Sequence, residues 1–332
     1  MSIKFDAIID CAYGDTGKGA TAYHLLKDSS KGYTSSFRFN GSGNAGHTIY
    51  HEGQKIVTHS IPVGIVLGYK CYIGPGCVVN PFRLSDEIEY LEKMGIPASK
   101  LLKIAHNTHV ITEKHVLEDS KDKSIGTTKQ GNGPAYRDKY SRTGKRMESL
   151  SSRIFQNMLF SVHDEFYNQE DHVILFEGAQ GFYLDIDFGD YPYVTSSHCG
   201  LGSILNNGFN HKQIRHIYGV IKAYETYVGN KEFEPREDWF PRLRELGKEF
   251  GATTGRPRQC NWVNIDKLKQ AICMLGIDTL IIRKKDILDS LGIYRVILNN
   301  KEVSFEKSDD FVSFFYDILK IKIHWSKGYD SL

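Results

Sequence analysis

The apolar stretch Ile3–Ile9 runs into Cys-Ala-Tyr-Gly-Asp-Thr-Gly-Lys-Gly-Ala and then into Thr-Ala-Tyr-His-Leu-Leu. A buried strand that breaks at a glycine-punctuated turn and re-emerges as a helix is the opening of a phosphate-binding α/β unit. Gly14, Gly17 and Gly19 let backbone N–H groups approach phosphate oxygens, and Lys18 adds a point charge. Asp15 is suited to holding a metal or taking a proton. The spacing is not that of the common P-loop, which has four residues between its first glycine and a Gly-Lys pair. Taken by itself the segment reads equally well as a tight turn.

Further apolar runs at Lys70–Ile73, His172–Phe176, His216–Ala223, Asp278–Ile282 and Tyr294–Leu298 read as core strands. Helical patterns fall at Arg83–Met94, Arg153–Phe166, Ile265–Leu275 and Phe311–Leu319. Strands alternating with helices predict an α/β fold with a mostly parallel central sheet and helices on both faces. With 332 residues, 40% of them hydrophobic, one large domain spanning 1–332 is expected. The glycine-rich stretches near 41–48, 118–138 and 250–259 are expected to be mobile functional loops.

A net charge of +2, from 42 basic and 40 acidic residues, excludes a surface built to coat nucleic acid. No apolar run approaches the ~20 residues a membrane helix needs, and the first residues lack the pattern of a signal peptide. The six cysteines form no CxxC pair and no zinc-ligand spacing. They are expected as buried, reduced thiols, which points to the cytoplasm.

Four more segments concentrate glycine and polar residues. Gly41–Thr48 (GSGNAGHT) is flanked by strand-like segments and reads as a hairpin turn, yet a turn does not need Asn44, His47 and Thr48 together. His47 read singly is as readily an ordinary surface histidine. Gly126-Thr127-Thr128, with Gly131–Tyr136 and Arg142, suits a monophosphate cradle, or equally a solvated loop. Phe176–Gly181 (FEGAQG) ends an apolar strand, where ligands bind in open parallel sheets, and the Gln180 amide can both donate to and accept from a base edge. Thr253, Thr254, Arg256 and Arg258 form a glycine-bounded cluster suited to carboxylates or phosphates.

Together these segments resemble the adenylosuccinate synthetase family. Its motifs stand here, in the family's order, as GDTGKGA, NAGHT, GTTKQGNGPAY, FEGAQG with LDID and YPYVTSS, IKAY, TTGRPR, RKKDILD and SKG. The resemblance implies the P-loop-NTPase-like fold of that family, and a ligase that makes adenylosuccinate from IMP, L-aspartate and GTP. In that chemistry the purine O6 is first phosphorylated and the aspartate amine then displaces phosphate. It implies Asp15 as general base and Mg²⁺ ligand, with Lys18 beside it and the Gly46 carbonyl as a second ligand. His47 would donate to the transferring phosphoryl group, and Asn44 and Gln180 would hold the 6-oxo edge. Thr128, Thr195 and Arg142 match the 5′-phosphate site, with Arg142 reaching across a homodimer interface. Val228 matches a ribose contact, while Thr253, Thr254, Arg256 and Arg258 match the aspartate loop that approaches the ribose. Gly14, Thr16, Gly17, Lys18, Gly19, Thr48, Arg258, Lys284, Asp286, Ser326 and Gly328 match GTP-binding positions. Of these, Lys284 and Asp286 would read guanine.

Several positions depart from the family's pattern. Thr16 replaces a Glu, Ala20 a Lys, Tyr227 an Arg, and Lys129-Gln130 a Gly-Arg pair. A phage branch that resembles the same family takes dGMP, often with ATP. This sequence shares Thr16 with that branch but keeps Asp15. Arg256 and the Lys284-x-Asp286 pair favour IMP and GTP. A non-catalytic nucleotide-binding regulator or a GTPase switch is the remaining class, and retention of both Asp15 and His47 argues against it.

Overall fold

The computed structural model describes residues 2–168, 170–251 and 255–326. Its centre is a nine-stranded sheet. The strands, in chain order, are β1 (Ile3–Asp10), β2 (Ser35–Arg38), β3 (Lys70–Ile73), β4 (Leu102–Ala105), β5 (Leu159–Phe160), β6 (His172–Glu177), β7 (Ile214–Lys222), β8 (Thr279–Arg283) and β9 (Lys322–Trp325). Their spatial order is β9-β8-β7-β1-β6-β2-β3-β4-β5, and every neighbouring pair is parallel.

Alternation along the strands divides the core. Phe5, Ala7 and Ile9 of β1 face one cluster with Phe37, Ile174 and Phe176. Ile8 faces another with Leu175, Val220 and Ile281. Helices α1 (Lys18–Lys27) and α2 (Pro81–Lys93) bury Leu25, Leu26, Leu84, Ile88 and Leu91 on the second face. On the first face, α5 (Ile265–Leu275) and α6 (Ser308–Leu319) bury Leu268, Leu275, Phe311 and Phe315; α3 (Glu113–Lys121) and α4 (Asn132–Ser141) lie between α2 and α5 in the chain. Coverage of both faces explains why the strands read as nearly continuous apolar runs. Helix starts follow local chemistry: Asn80 Oδ1 accepts from the N–H groups of Phe82 and Arg83, with Pro81 in the first turn.

The predicted α/β class, parallel sheet and two-sided helical cover match this architecture. Four expectations need correction. Tyr294–Leu298 is not in the central sheet; it pairs antiparallel with Lys301–Phe305 and parallel with Val263–Asn264 in a separate three-stranded sheet. The helix expected over Arg153–Phe166 is broken at Leu159–Phe160, which pairs with Ile104–Ala105 as the sheet's edge strand. A second short helix restarts after Ser161, whose Oγ accepts from the Asp164 N–H. The polar stretch 118–138 is helical at both ends, in α3 and α4. Among the cysteines, Cys273 is exposed while the other five are buried and free.

The chain leaves β1 in one direction to β2–β5, returns to insert β6 beside β1, and then builds β7–β9 on the other side. β1 and its neighbours therefore form a topological switch point, and a crevice opens there beyond the strands' carboxyl ends.

Candidate functional site

The crevice is a cavity of about 550 Å³, within the range of small-molecule sites. Four strand ends deliver its walls: the turn after β1, the turn after β6, the segment after β7, and the start of the helix Lys285–Leu291 after β8.

The turn after β1 is organised by a residue the motif reading passed over. Asp10, fully buried at the strand's end, accepts from the N–H groups of Ala12 (2.8 Å) and Gly14 (3.2 Å), the Thr16 hydroxyl (2.5 Å) and Lys18 Nζ (3.0 Å). Lys18 Nζ also donates to Gln180 O at 2.6 Å, tying this turn to the one after β6. Gly17 caps α1 with φ 97°, and a Cβ there would lie 2.7 Å from Arg283 Cδ. The N-cap Gly17 offers no side chain to bond the first amides of this ten-residue helix, and its first residues Lys18, Gly19 and Ala20 line the cavity, an arrangement suited to an anion. Asp15, at φ 56°, is about one-third exposed; its Oδ2 lies 3.0 Å from Arg258 Nε.

His47 begins the hairpin His47–His51/Gln54–Thr58. The hairpin turn expected over 41–48 is not formed, because the flanking strands join different sheets. A Cβ on Gly19 would lie 2.5 Å from His47 Cβ, so only glycine lets α1 approach this closely. The imidazole is 7% exposed, not a surface group. Its Nδ1 meets the Glu177 carboxylate, which is fully buried and also pairs with Arg38 Nη2 at 2.9 Å. Burial first, and the Arg38 charge second, outweigh Glu177 and lower the His47 pKa to about 4. Burial raises the Glu177 pKa, but Arg38 and His47 outweigh it and the net shift is downward. The ligand-free site therefore holds a neutral imidazole, Nδ1–H toward an ionised carboxylate.

The residues around Glu249 and Arg258 form a second charge network. Glu249, fully buried, accepts from Tyr224 OH (2.6 Å), Lys222 Nζ (2.8 Å) and Arg258 Nη1 (2.5 Å). Burial opposes its ionisation, but Lys222 and Arg258 prevail and hold it at about 2. Arg256 Nη2 donates to Gly126 O at 3.0 Å, joining this segment to the Gly126–Thr128 loop.

Of the residues singled out from sequence, Gly14, Asp15, Thr16, Gly17, Lys18, Gly19, Asn44, Gly46, His47 and Thr48 all line the cavity. So do Thr128, Gln180, Thr195, Val228, Arg256, Arg258, Lys284 and Asp286. Arg142 does not: it is exposed at the end of α4. Ser326 is buried after β9, its N–H donating to Ile282 O, and is also not a lining residue. Thr253, Thr254 and Gly328 lie outside the described residues.

Asp10, Arg38, Glu177, Lys222 and Glu249 were missed as functional residues. The available signal was an ionisable group inside or ending an apolar strand run, as in Ile8-Ile9-Asp10 and Leu175-Phe176-Glu177. Asn132, at the start of α4, was missed too. It lines the cavity and is 7% exposed, and neither its Oδ1 nor its Nδ2 has a partner among the described residues. The Asn44 and Gln180 side-chain oxygens are in the same condition.

Asp15 and Gly46, which both line the cavity, offer a carboxylate and a carbonyl oxygen, donor types that suit a hard divalent cation. Among the described residues, the group of at least three His, Cys, Asp or Glu whose ligand atoms lie within 4.8 Å of one another is Asp185, Asp187 and His198. Asp185 spends its oxygens there on the N–H groups of Asp187, Phe188 and Cys199, so it acts as a loop clasp. No helix among the described residues is long and apolar enough to cross a membrane.

Comparison with known proteins agrees with this geometry. The sequence matches the family described as adenylosuccinate synthetase over residues 7–169 and 153–313. It is 37% identical to the adenylosuccinate synthetase of Picrophilus torridus over 333 residues, covering 87% of this chain and 78% of that one. It is also 37% identical to that of Caldanaerobacter subterraneus, covering 89% and 80%. The fully ligated adenylosuccinate synthetase of Plasmodium falciparum superimposes with a TM-score of 0.85 at 27% identity, covering 99% and 98% of the two chains. The cyanophage S-2L succinoaminodeoxyadenylate synthetase, bound to dGMP and dATP, shares the fold with a TM-score of 0.78 at 21% identity, covering 99% and 94%. A turn after β1 that presents an acid and an uncapped helix, facing a buried histidine, thus sits in a chain that belongs to the adenylosuccinate synthetase family.

Proposed function

We propose that the cavity joins L-aspartate to the 6-position of IMP at the expense of GTP, as the family's ligases do. The observation that carries this reading is the convergence of Asp15 and His47, from separate glycine turns, on one cavity that Arg256, Arg258, Lys284 and Asp286 also line.

Asp15 takes the N1 proton of the purine while O6 attacks the γ-phosphorus and GDP leaves. Asn44 and Gln180, with buried side-chain oxygens lacking partners among the described residues, hold the 6-oxo edge. The first amides of α1 and Lys18 face the triphosphate. His47 starts neutral, so it donates to the phosphoryl group only after the incoming polyanion raises its pKa. Glu177 then stabilises the imidazolium. Aspartate, held by Arg256 and Arg258 with Thr253 and Thr254, attacks C6 and displaces phosphate. Asp15 and the Gly46 carbonyl would hold Mg²⁺, which would neutralise charge on the phosphates when bound.

Thr128, Thr195 and Val228 bind the purine nucleotide's phosphate and ribose. Gly14, Thr16, Gly17, Gly19 and Thr48 face GTP, and Lys284 with Asp286 reads its base. Arg142, exposed and away from its own cavity, serves a partner's site in a homodimer. The chain works in the cytoplasm as one domain whose loops near 41–48 and 122–131 move. The alternative substrate dGMP, with ATP or GTP, rests on Thr16, which this chain shares with the phage branch. A substrate matrix decides between them: IMP and dGMP against GTP and ATP, with aspartate and Mg²⁺, followed by absorbance and mass. Phosphate release that needs neither aspartate nor purine monophosphate would leave a GTPase switch instead.

A further inference from the structure

Arg258 stands between two carboxylates. Its Nη1 donates to Glu249 at 2.5 Å, and its Nε lies 3.0 Å from Asp15 Oδ2. The two contacts differ in kind. The first is an aligned hydrogen bond to a fully buried, ionised group that Lys222 and Tyr224 also hold. The second is a charge contact without hydrogen-bond alignment, to a carboxylate that is 35% exposed on the cavity wall. A strongly held partner and a weakly held one thus share a single guanidinium.

The chain geometry reinforces this. Glu249 and Arg258 are the two ends of the loop that carries Arg256. Their backbones are joined as well, Arg258 N–H donating to Glu249 O at 3.0 Å, with Phe250 and Pro257 bridged just inside. Glu249 therefore fixes both the loop's base and the direction in which Arg258 points. A guanidinium presents its donors as a rigid planar fork that matches a carboxylate in bidentate fashion. Released from Glu249, Arg258 would turn that fork onto Asp15, the carboxylate its Nε already contacts, and away from an incoming dicarboxylate.

We infer that Glu249 is a positioning residue. By holding Arg258 at the base of the loop it keeps the guanidinium from locking onto Asp15, and keeps it directed at the incoming dicarboxylate. This rests on the reading of Asp15 as the proton acceptor and Arg258 as an aspartate contact. Glu249 is fully buried at the cavity's edge, and the role assigned to it runs through Arg258.

The test is steady-state kinetics of adenylosuccinate formation by the full-length enzyme carrying Glu249→Gln, with melting temperature measured alongside. Tyr224→Phe is the control, since it removes another hydrogen bond to the same buried carboxylate but leaves Arg258 held. Glu249→Gln is expected to lower kcat/KM for aspartate at least tenfold and leave KM for IMP within twofold. Tyr224→Phe is expected to keep both constants within threefold. Equal losses in the two variants, or a Glu249→Gln enzyme that is less stable but keeps kcat/KM for aspartate within twofold, would overturn the inference. If Glu249→Gln does not accumulate as folded protein, Glu249→Asp carries the test. It keeps the charge beside Lys222 but shortens the reach to Arg258, and unchanged kcat/KM for aspartate would refute the role. Failure of the underlying reading would show differently, as full activity in Asp15→Ala or no product from wild type.

Discussion

Glu177→Gln is nearly isosteric and should nevertheless be severe, because both Glu177 oxygens face donors. Oε1 meets Arg38 Nη2 and His47 Nδ1, and Oε2 accepts the Val63 N–H at 2.9 Å. A carboxylate is acceptor-only and satisfies every one of these, whereas an amide must turn its NH₂ toward one set of donors. The charge is lost as well, leaving the Arg38 guanidinium, 1% exposed, beside His47 with no counter-charge from Glu177. Breaking a buried pair by removing one partner costs about 3–5 kcal/mol. Against a typical total of about 5–15 kcal/mol, that is a large share of the fold's stability. Urea unfolding of wild type and Glu177→Gln at pH 7 measures it. Catalysis should fall further than stability predicts, since without the carboxylate the imidazole resists protonation more strongly. A loss on the order of 10²–10⁴-fold in kcat is expected for a misplaced acid–base group. A fully folded Glu177→Gln enzyme within 1 kcal/mol (about 1 kcal/mol being the net worth of one ordinary hydrogen bond) and with near-normal kcat would refute the reasoning. The paired replacement Arg38→Met/Glu177→Leu should unfold at higher urea than Glu177→Gln, because it leaves no buried charge.

Other outcomes follow from the same geometry. Asp15→Ala should abolish phosphorylation of the purine while sparing much of the GTP affinity, read by phosphate release and by GTP binding separately. Arg256→Ala should chiefly raise KM for aspartate. It should also increase proteolysis near Gly126 and Thr127, whose carbonyls the guanidinium holds. Acid should weaken the fold through the site. His47 is depressed to about 4 against an unfolded value of about 6.5, so between those values the unfolded chain binds more protons and stability rises with pH. That contribution, about 3 kcal/mol, is complete above pH ~6.5 and lost on approaching pH ~4. Glu177, also depressed, adds a loss of the same sign at lower pH. His47→Gln should flatten this slope in urea titrations, and an unchanged slope would count against it. Asn132→Leu should stabilise the ligand-free protein by removing unpaired buried polar atoms, while weakening purine-nucleotide binding in calorimetry.

Much of this protein was legible in local sequence. The strand–glycine turn–helix opening and the parallel sheet follow from apolar periodicity and from glycine turns, which are consequences of short-range sterics and burial, whereas lining residues such as Thr195, Val228, Lys284 and Asp286 were picked out only by the resemblance to a family. Tertiary structure decided what those rules cannot reach. Leu159–Phe160 breaks a helical pattern because the sheet's edge accepts it as a strand, and Tyr294–Leu298 leaves the central sheet for a small one. Asp10, Glu177 and Glu249 became organising carboxylates only because folding brought Lys18, Arg38 and Lys222 beside them across 8, 139 and 27 residues of chain. Sequence names the ionisable groups, whereas burial and charge pairing depend on distances between segments that no local pattern encodes.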